Sequence, residues 1–195
     1  MNKTGEISNN FLALLVVVSI AVALAGFMMP ARMTGNALNT GTLDAELNST
    51  TAINFSVASI NFGAVAVPSG VASCNIDSEG NTNCLATAPD NGFTVENIGN
   101  ENVSLTLATT KNAADLIGGT SPAYKWKVKD KDAGACTGAA NAYVSVNKTA
   151  PGTEICSIFA TAPTMDELYI HVNLTVPSDA VSGSKTDTFT ATATG

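Results

Sequence analysis

The chain has 195 residues, of which 45% are hydrophobic and only 13% are charged, and its formal net charge is -7 at pH 7. An acidic balance argues against a general nucleic-acid-binding surface, because such surfaces neutralise phosphates with lysine and arginine. About 145 residues follow the N-terminal region, which is long enough for one domain with a sizeable core.

An uncharged apolar run extends from Phe11 to Met29. A helix of this length would reach roughly 28 Å, about the thickness of the hydrocarbon core of a bilayer. We therefore expect a leader over residues 1–10, a transmembrane or filament-core helix over 11–29, a linker over 30–50 and a β domain over 51–195. The alternative is a secretory signal cleaved after Ala25, although the run is longer than the roughly 7 to 15 apolar residues of such signals.

Asn-x-Ser/Thr triplets, the acceptors of N-glycosylation, recur beyond the apolar run, at Asn48, Asn54, Asn102, Asn147 and Asn173. Strand alternation places the asparagines that lie in strands on the polar face. We expect glycans at these positions and therefore an exported β domain. The alternative at each of them is an unmodified, solvated asparagine.

The cysteines agree with an exported domain. There are four, Cys74, Cys84, Cys136 and Cys156, and no Cys-x-x-Cys pair points to zinc or redox chemistry. Among the three connectivities we favour nearest-neighbour pairing, Cys74 to Cys84 and Cys136 to Cys156. Two such bridges are typical of an oxidising compartment, whereas four buried free thiols are the alternative.

Alternation of apolar and polar residues dominates the rest of the chain and predicts short strands separated by glycine and proline turns. The only helical fragment lies near Lys111 to Ile117. Many short strands indicate a mainly β fold, an antiparallel sandwich. The predicted strands are Ala52–Ala58, Ile60–Val67, Phe93–Asn97, Asn102–Thr109, Tyr124–Asp130, Ala142–Asn147, Glu154–Ala160, Leu168–Val176 and Thr186–Ala193.

Two stretches resemble the immunoglobulin-like modules of bacterial and archaeal surface proteins. The first is Leu174 to Ala180 with Gly183 and the strand that follows, similar to the last two strands of those modules. The second, Gly92 to Asn100, is similar to a turn of the same modules. The resemblance implies an immunoglobulin-like β-sandwich and no particular activity.

The whole-chain plan of leader, apolar helix and β domain resembles archaeal pilins and archaellins. In that family the leader is cut just before the helix, which corresponds here to cleavage after Gly5, leaving Glu6 first. Lys3 to Gly5 is an imperfect leader, and three polar residues delay the apolar run. Cleavage after Ala25 would instead resemble the sandwich subunits that polymerise by lending a strand to a neighbour.

Enzymatic chemistry has little support in the sequence. His171 is the only histidine, and we expect it to be a solvated residue on the polar face of a strand, beside Tyr169. No nucleophile elbow, P-loop or His-Glu-x-x-His motif occurs. The polar stretch Asp77 to Asn83 is loosely like a calcium loop but lacks its spacing, and a solvated turn is the favoured interpretation. We expect no catalytic residues, no metal and no cofactor.

Four lysines, Lys125, Lys127, Lys129 and Lys131, alternate along one predicted strand with Tyr124, Trp126 and Val128 on its opposite face. One interpretation is an edge strand that lysine protects from unwanted pairing. The other is a partner-docking surface for an acidic neighbour, either another subunit or an anionic glycan.

These features together predict a cell-surface structural protein, membrane-anchored or assembled as a pilin-like filament subunit. The alternative function is that of a monomeric, surface-anchored adhesion module that binds glycan or protein. The expected partners are the membrane, other copies or other surface proteins, and an anionic glycan, with no nucleic acid.

Overall fold

The computed structural model describes residues 49–195. The predicted leader, the predicted helix over 11–29, nearly all of the linker and Asn48 lie outside the described residues. Residues 49–195 contain no candidate membrane-spanning helix.

The described residues contain ten strands and one short helix, and every strand pair is antiparallel. The mainly β, antiparallel prediction is therefore confirmed. In chain order the elements are β1 Ile53–Val57, β2 Ser73–Asp77, β3 Phe93–Asn97, β4 Val103–Thr109, α1 Ala113–Leu116, β5 Ala123–Asp130, β6 Cys136–Thr137, β7 Val144–Ser145, β8 Thr153–Phe159, β9 Glu167–Pro177 and β10 Phe189–Thr194.

The strands form two sheets. The large sheet has the order β1-β3-β9-β5-β7, with β2 also paired to β9, and the small sheet has the order β10-β4-β8-β6. β9 is the longest strand, with 11 residues. On one side it pairs first with β3 and then with β2, and on the other it pairs with β5 along its length. β9 is therefore the centre of the large sheet.

The inward faces of the two sheets share one apolar core. Along β4 every second residue is buried, and along β5 the alternate residues Tyr124, Trp126 and Val128 are buried, as the sequence predicts. Phe189 of β10 brings its ring close to those of Phe93 and Trp126, at 4.7 Å and 6.0 Å between centroids. These aromatic contacts pack β10, the outermost strand of the small sheet, against the large sheet.

The predicted strand Ile60–Val67 does not form, apart from a single bridge between Ala66 and Leu85. At Gly63 the backbone has φ +62, and the Asn61 side chain accepts a hydrogen bond from the Gly63 N–H. This turn shifts the alternation by one residue, so that Val65 rather than Ala64 packs inward. The segment is apolar enough to cover the core but pairs with almost nothing, since its register is broken in the middle.

Two strands were not predicted. β2 has only two clear inward apolar residues, Cys74 and Ile76, and β6 is two residues long. The predicted strand Ala142–Asn147 is reduced to β7. The predicted helical fragment is present as α1, which Asn112 caps by accepting a hydrogen bond from the Asp115 N–H while Asp115 accepts one in return.

Candidate docking surface

The lysines of β5 lie on the outward face of the large sheet. Lys125, Lys127 and Lys129 stand opposite Asn173, His171 and Tyr169 of β9, whereas Lys131 follows the end of the strand. The prediction that the lysines share a face away from the core is correct for the three that lie within β5.

The edge-strand interpretation of these lysines is wrong. β5 pairs with β9 from Ala123 to Asp130, and on its other side it pairs with β7 at Lys125 and Trp126. Beyond β7, the Val128 N–H donates to the carbonyl oxygen of Ala140. Since β5 has neighbours on both sides, its lysines have no free edge to protect.

Two of the four lysines are already paired within the domain. Lys127 Nζ lies 2.5 Å from Glu79 Oε2 and sits over the Tyr143 ring, 4.7 Å from its centroid. Lys131 Nζ lies 2.7 Å from Glu167 Oε2. Among the described residues neither Lys125 nor Lys129 makes an ion pair. A docking surface on this face therefore depends on Lys125 and Lys129.

Glu79 lies at the centre of a polar cluster on this outward face. It binds Lys127, accepts a hydrogen bond from the Tyr143 hydroxyl at 3.1 Å and lies 4.0 Å from His171 Nε2. Burial acts to raise the pKa of Glu79, but the hydrogen bond from Lys127 and the nearby His171 outweigh it and hold that pKa below its ordinary value of 4.5. Glu79 is thus an ionised partner that was not identified from the sequence.

His171 is not the solvated residue that the sequence suggested. It projects on the predicted face, beside Tyr169, but only 8% of it is exposed. Its Nδ1 lies 3.3 Å from Ser78 Oγ, and Ser78 Oγ also accepts the N–H of Val172. Burial lowers the pKa of His171 below its ordinary value of 6.5, and the Glu79 carboxylate offsets this only in part.

Ser78, His171 and Glu79 superficially suggest a nucleophile with its base and a carboxylate. The Ser78 residue is fully buried, however, and its N–H and Oγ are bonded to the backbone of Val172. A nucleophile must reach its substrate. The geometry instead extends the pairing of β2 with β9 by one residue, and so it supports a structural role.

The stretch from Asp77 to Asn83 is a tight turn. Asp77 Oδ1 accepts hydrogen bonds from the N–H groups of Glu79 and Asn81, and the Asn81 side chain donates to both Asp77 oxygens. Because N–H donors already occupy these oxygens, the comparison with a calcium loop does not hold. Among residues 49–195 no cluster of three or more potential metal-binding side chains occurs.

Both predicted disulfides are present, Cys74–Cys84 and Cys136–Cys156. The first holds β2 against the apolar side chains of residues 62–67, and the second joins β6 to β8. The described residues contain no free cysteine.

The acceptor asparagines differ in exposure. Asn54 on β1 and Asn102 before β4 are exposed, whereas Asn147 and Asn173 are half-buried. The Asn147 side chain accepts a hydrogen bond from the Thr149 N–H. Asn173 lies opposite Lys125 in the middle of the large sheet. Asn54 and Asn102 are therefore the most accessible of the four for modification.

A cavity of about 1090 Å³ lies beside the shared core of the two sheets, near the start of β10. Phe93, Tyr124, Leu174 and Phe189 contribute apolar side chains to it, and residues 58–71 and 180–187 form its walls. Burial, and then the charge of Asp187, raise the pKa of Tyr124, so its hydroxyl stays protonated. The sequence does not predict this cavity, because alternation over Ile60–Val67 predicts a strand where the structure has one wall of the cavity.

No protein-family model, curated protein or solved structure matches this chain.

Proposed function

We propose that this chain is a cell-surface structural protein, whose N-terminal apolar segment anchors it in a membrane or packs in the core of a pilin-like filament. On this proposal an immunoglobulin-like β-sandwich is exported and displayed outside the cell. The chain is not an enzyme, and its assembly with other copies or other surface proteins is its function.

The observation that carries the proposal is a pair of disulfides within a β domain that follows an apolar run of membrane-spanning length. Disulfides persist in oxidising compartments outside the cytosol. A run such as Phe11 to Met29, without a charge, is long enough to cross a bilayer. Together they support an exported domain held at a surface.

The test is fractionation and electron microscopy of the native protein. We expect the full chain to sediment with membranes or filaments and to resist extraction with alkaline carbonate, while a variant without residues 1–33 is soluble and keeps both disulfides. Intact-mass analysis of the native protein is the control for processing. A soluble mature chain that begins at Gly26 would contradict the anchored protein.

The alternative function is that of a monomeric adhesion module, and one observation favours it. Lys125 and Lys129 lie on the same outward face and make no ion pair among residues 49–195, so both are available to an anionic glycan or an acidic protein surface. Filaments in the micrographs would separate assembly from this alternative.

A further inference from the structure

β10 has one unpaired edge. It pairs with β4 from Phe189 to Thr194, and no strand among residues 49–195 pairs with its other side. The Thr110 N–H donates to the carbonyl oxygen of Thr188, which fixes the alternation of the ladder. Since hydrogen-bonded residues alternate in antiparallel pairs, the N–H and C=O groups of Phe189, Ala191 and Ala193 point toward the unpaired edge.

The other edges of the described sheets are covered, short or irregular. β6 and β7 have two residues each, the register of β1 shifts between Phe55 and Val57, and the segment around Thr82 and Asn83 covers β2. β10 has six residues of sequence FTATAT, a regular register, and neither charge nor proline. Proteins normally protect such an edge, so β10 is suited to pairing with another strand.

We propose that β10 pairs antiparallel with β10 of a second copy of this chain, about a two-fold axis at Thr192. Pairing identical strands about a two-fold axis requires a self-complementary surface. The outward side chains of β10, Thr190, Thr192 and Thr194, meet that requirement, because each threonine then faces a threonine. Ala191 and Ala193 of each copy exchange their free N–H and C=O groups across the axis.

Acidic groups at the two ends of β10 select this register. Asp187 precedes the strand, and the Glu101 carboxylate lies beside Gly195 at its end. An axis at Ala191 would place Asp187 opposite Gly195 of the second copy and so near its Glu101. Moving the axis to Thr192 separates these like charges by two further residues along the strand, about 7 Å.

The pairing is tested by cross-linking the full-length protein with Thr192→Cys. Thr192 faces itself in a pair without backbone hydrogen bonds, where Cα atoms are about 4.5 Å apart, and this separation lies within the range that a disulfide spans. Mild oxidation should convert most of the protein to a dimer on a non-reducing gel. Thr106→Cys, on the outward face of β4, is the matched control and should stay monomeric.

A second substitution is designed to prevent the pairing of β10 with β10 while the Thr192→Cys substitution stays in place. Ala191→Pro deletes an N–H that points to the free edge and leaves the ladder with β4 intact. In the Thr192→Cys background it should reduce dimer formation at least tenfold, while peptide mapping still finds Cys74–Cys84 and Cys136–Cys156.

A folded Thr192→Cys protein that stays monomeric would overturn the pairing, including the case in which another part of the same chain covers β10. Equal cross-linking of Thr106→Cys would overturn it as well. The outcome is independent of the proposed function, because anchoring is measured by fractionation and the pairing by the position of the cross-link.

Discussion

The Asn97 side chain of β3 donates a hydrogen bond from Nδ2 to the carbonyl oxygen of Phe159 of β8, at 3.1 Å, and so joins the two sheets. The same Nδ2 donates to the carbonyl oxygen of Glu101, and Asn97 Oδ1 accepts the N–H of Gly99. Only 2% of Asn97 is exposed. One buried amide thus holds the turn between β3 and β4 and the contact between the sheets.

Replacing Asn97 with alanine should destabilise the domain by about 1 to 3 kcal/mol, because the carbonyl groups of Phe159 and Glu101 lose a buried donor. Urea denaturation of the wild type and the variant measures the change. Asn91→Ala, at an exposed position, is the matched control and should change the free energy of unfolding by less than about 0.5 kcal/mol. Equal effects at both positions would show that the bridge between the sheets contributes nothing.

Gly152 and Gly70 should respond differently to alanine. Both have a positive φ, +100 and +84, which costs an L residue about 1 to 2 kcal/mol. At Gly152 a Cβ would also lie 2.1 Å from the Leu107 carbonyl oxygen, whereas at Gly70 no atom lies within 4 Å. Gly152→Ala should therefore lower the midpoint temperature of thermal unfolding clearly more than Gly70→Ala does. A Gly152→Ala protein as stable as Gly70→Ala would contradict the packing of β8 against β4.

His171 should make the domain less stable at mildly acidic pH. Burial lowers its pKa in the folded state below 6.5, the ordinary value that the unfolded chain keeps. At a pH between the folded-state pKa and 6.5, the unfolded state binds more protons than the folded state does. The free energy of unfolding therefore falls as the pH drops from about 6.5 through the folded-state pKa.

Unfolding free energies measured from pH 8 to pH 5 test this dependence, with His171→Gln as the control in which it disappears. Glu79, whose pKa is lowered, contributes a further loss only at lower pH, as it becomes protonated below 4.5. A wild-type curve that is flat between pH 7 and pH 5 would contradict the burial of His171.

The lysines with ion pairs and the lysines without them can be tested separately for docking. If docking uses the lysines without ion pairs, Lys125→Gln with Lys129→Gln should abolish retention on immobilised heparin and leave stability unchanged. Lys127→Gln with Lys131→Gln is the control: it should keep most of the retention and lose up to about 1 kcal/mol of stability, because its ion pairs are partly exposed.

Salt gives an independent check on that surface. Exposed charges are screened over about 30 Å at 0.01 M salt and about 8 Å at 0.15 M. Retention of the wild type should therefore weaken between these concentrations. Retention that is independent of salt and equal in both double variants would rule out docking through this face.

The alternation of apolar and polar residues was sufficient to predict the longer strands. Phe93–Asn97 was predicted with its observed bounds, and β4, β5, β8 and β9 were predicted within one residue at each end, because one face of each packs into the core. It failed at Ile60–Val67, where Gly63 reverses the phase of an apolar stretch. Whether a glycine adopts positive φ depends on the tertiary contacts around it, which alternation does not contain.

The surface cluster was predictable only in part. Strand periodicity placed the lysines on one face, but the partner of Lys127 is Glu79, which lies in a turn 48 positions earlier in the chain. The burial of His171 has the same origin, since Ser78 covers it from the end of β2. Contacts between a strand and a distant turn depend on the order of strands in the sheet, and β2 itself was not predicted.

The position of β9 sets the order in which the domain can fold. β2, β3 and β5 all pair with β9, and Thr175 of β9 is bonded to Asn75 of β2, 100 residues away. All three strands precede β9 in the chain, so none of them can complete its pairing until residues 167–177 are present. Such long-range pairing slows folding and leaves strand edges exposed in the meantime. A chain truncated before Glu167 would therefore lack the strand that connects β3 and β2 to β5, and its large sheet could not form.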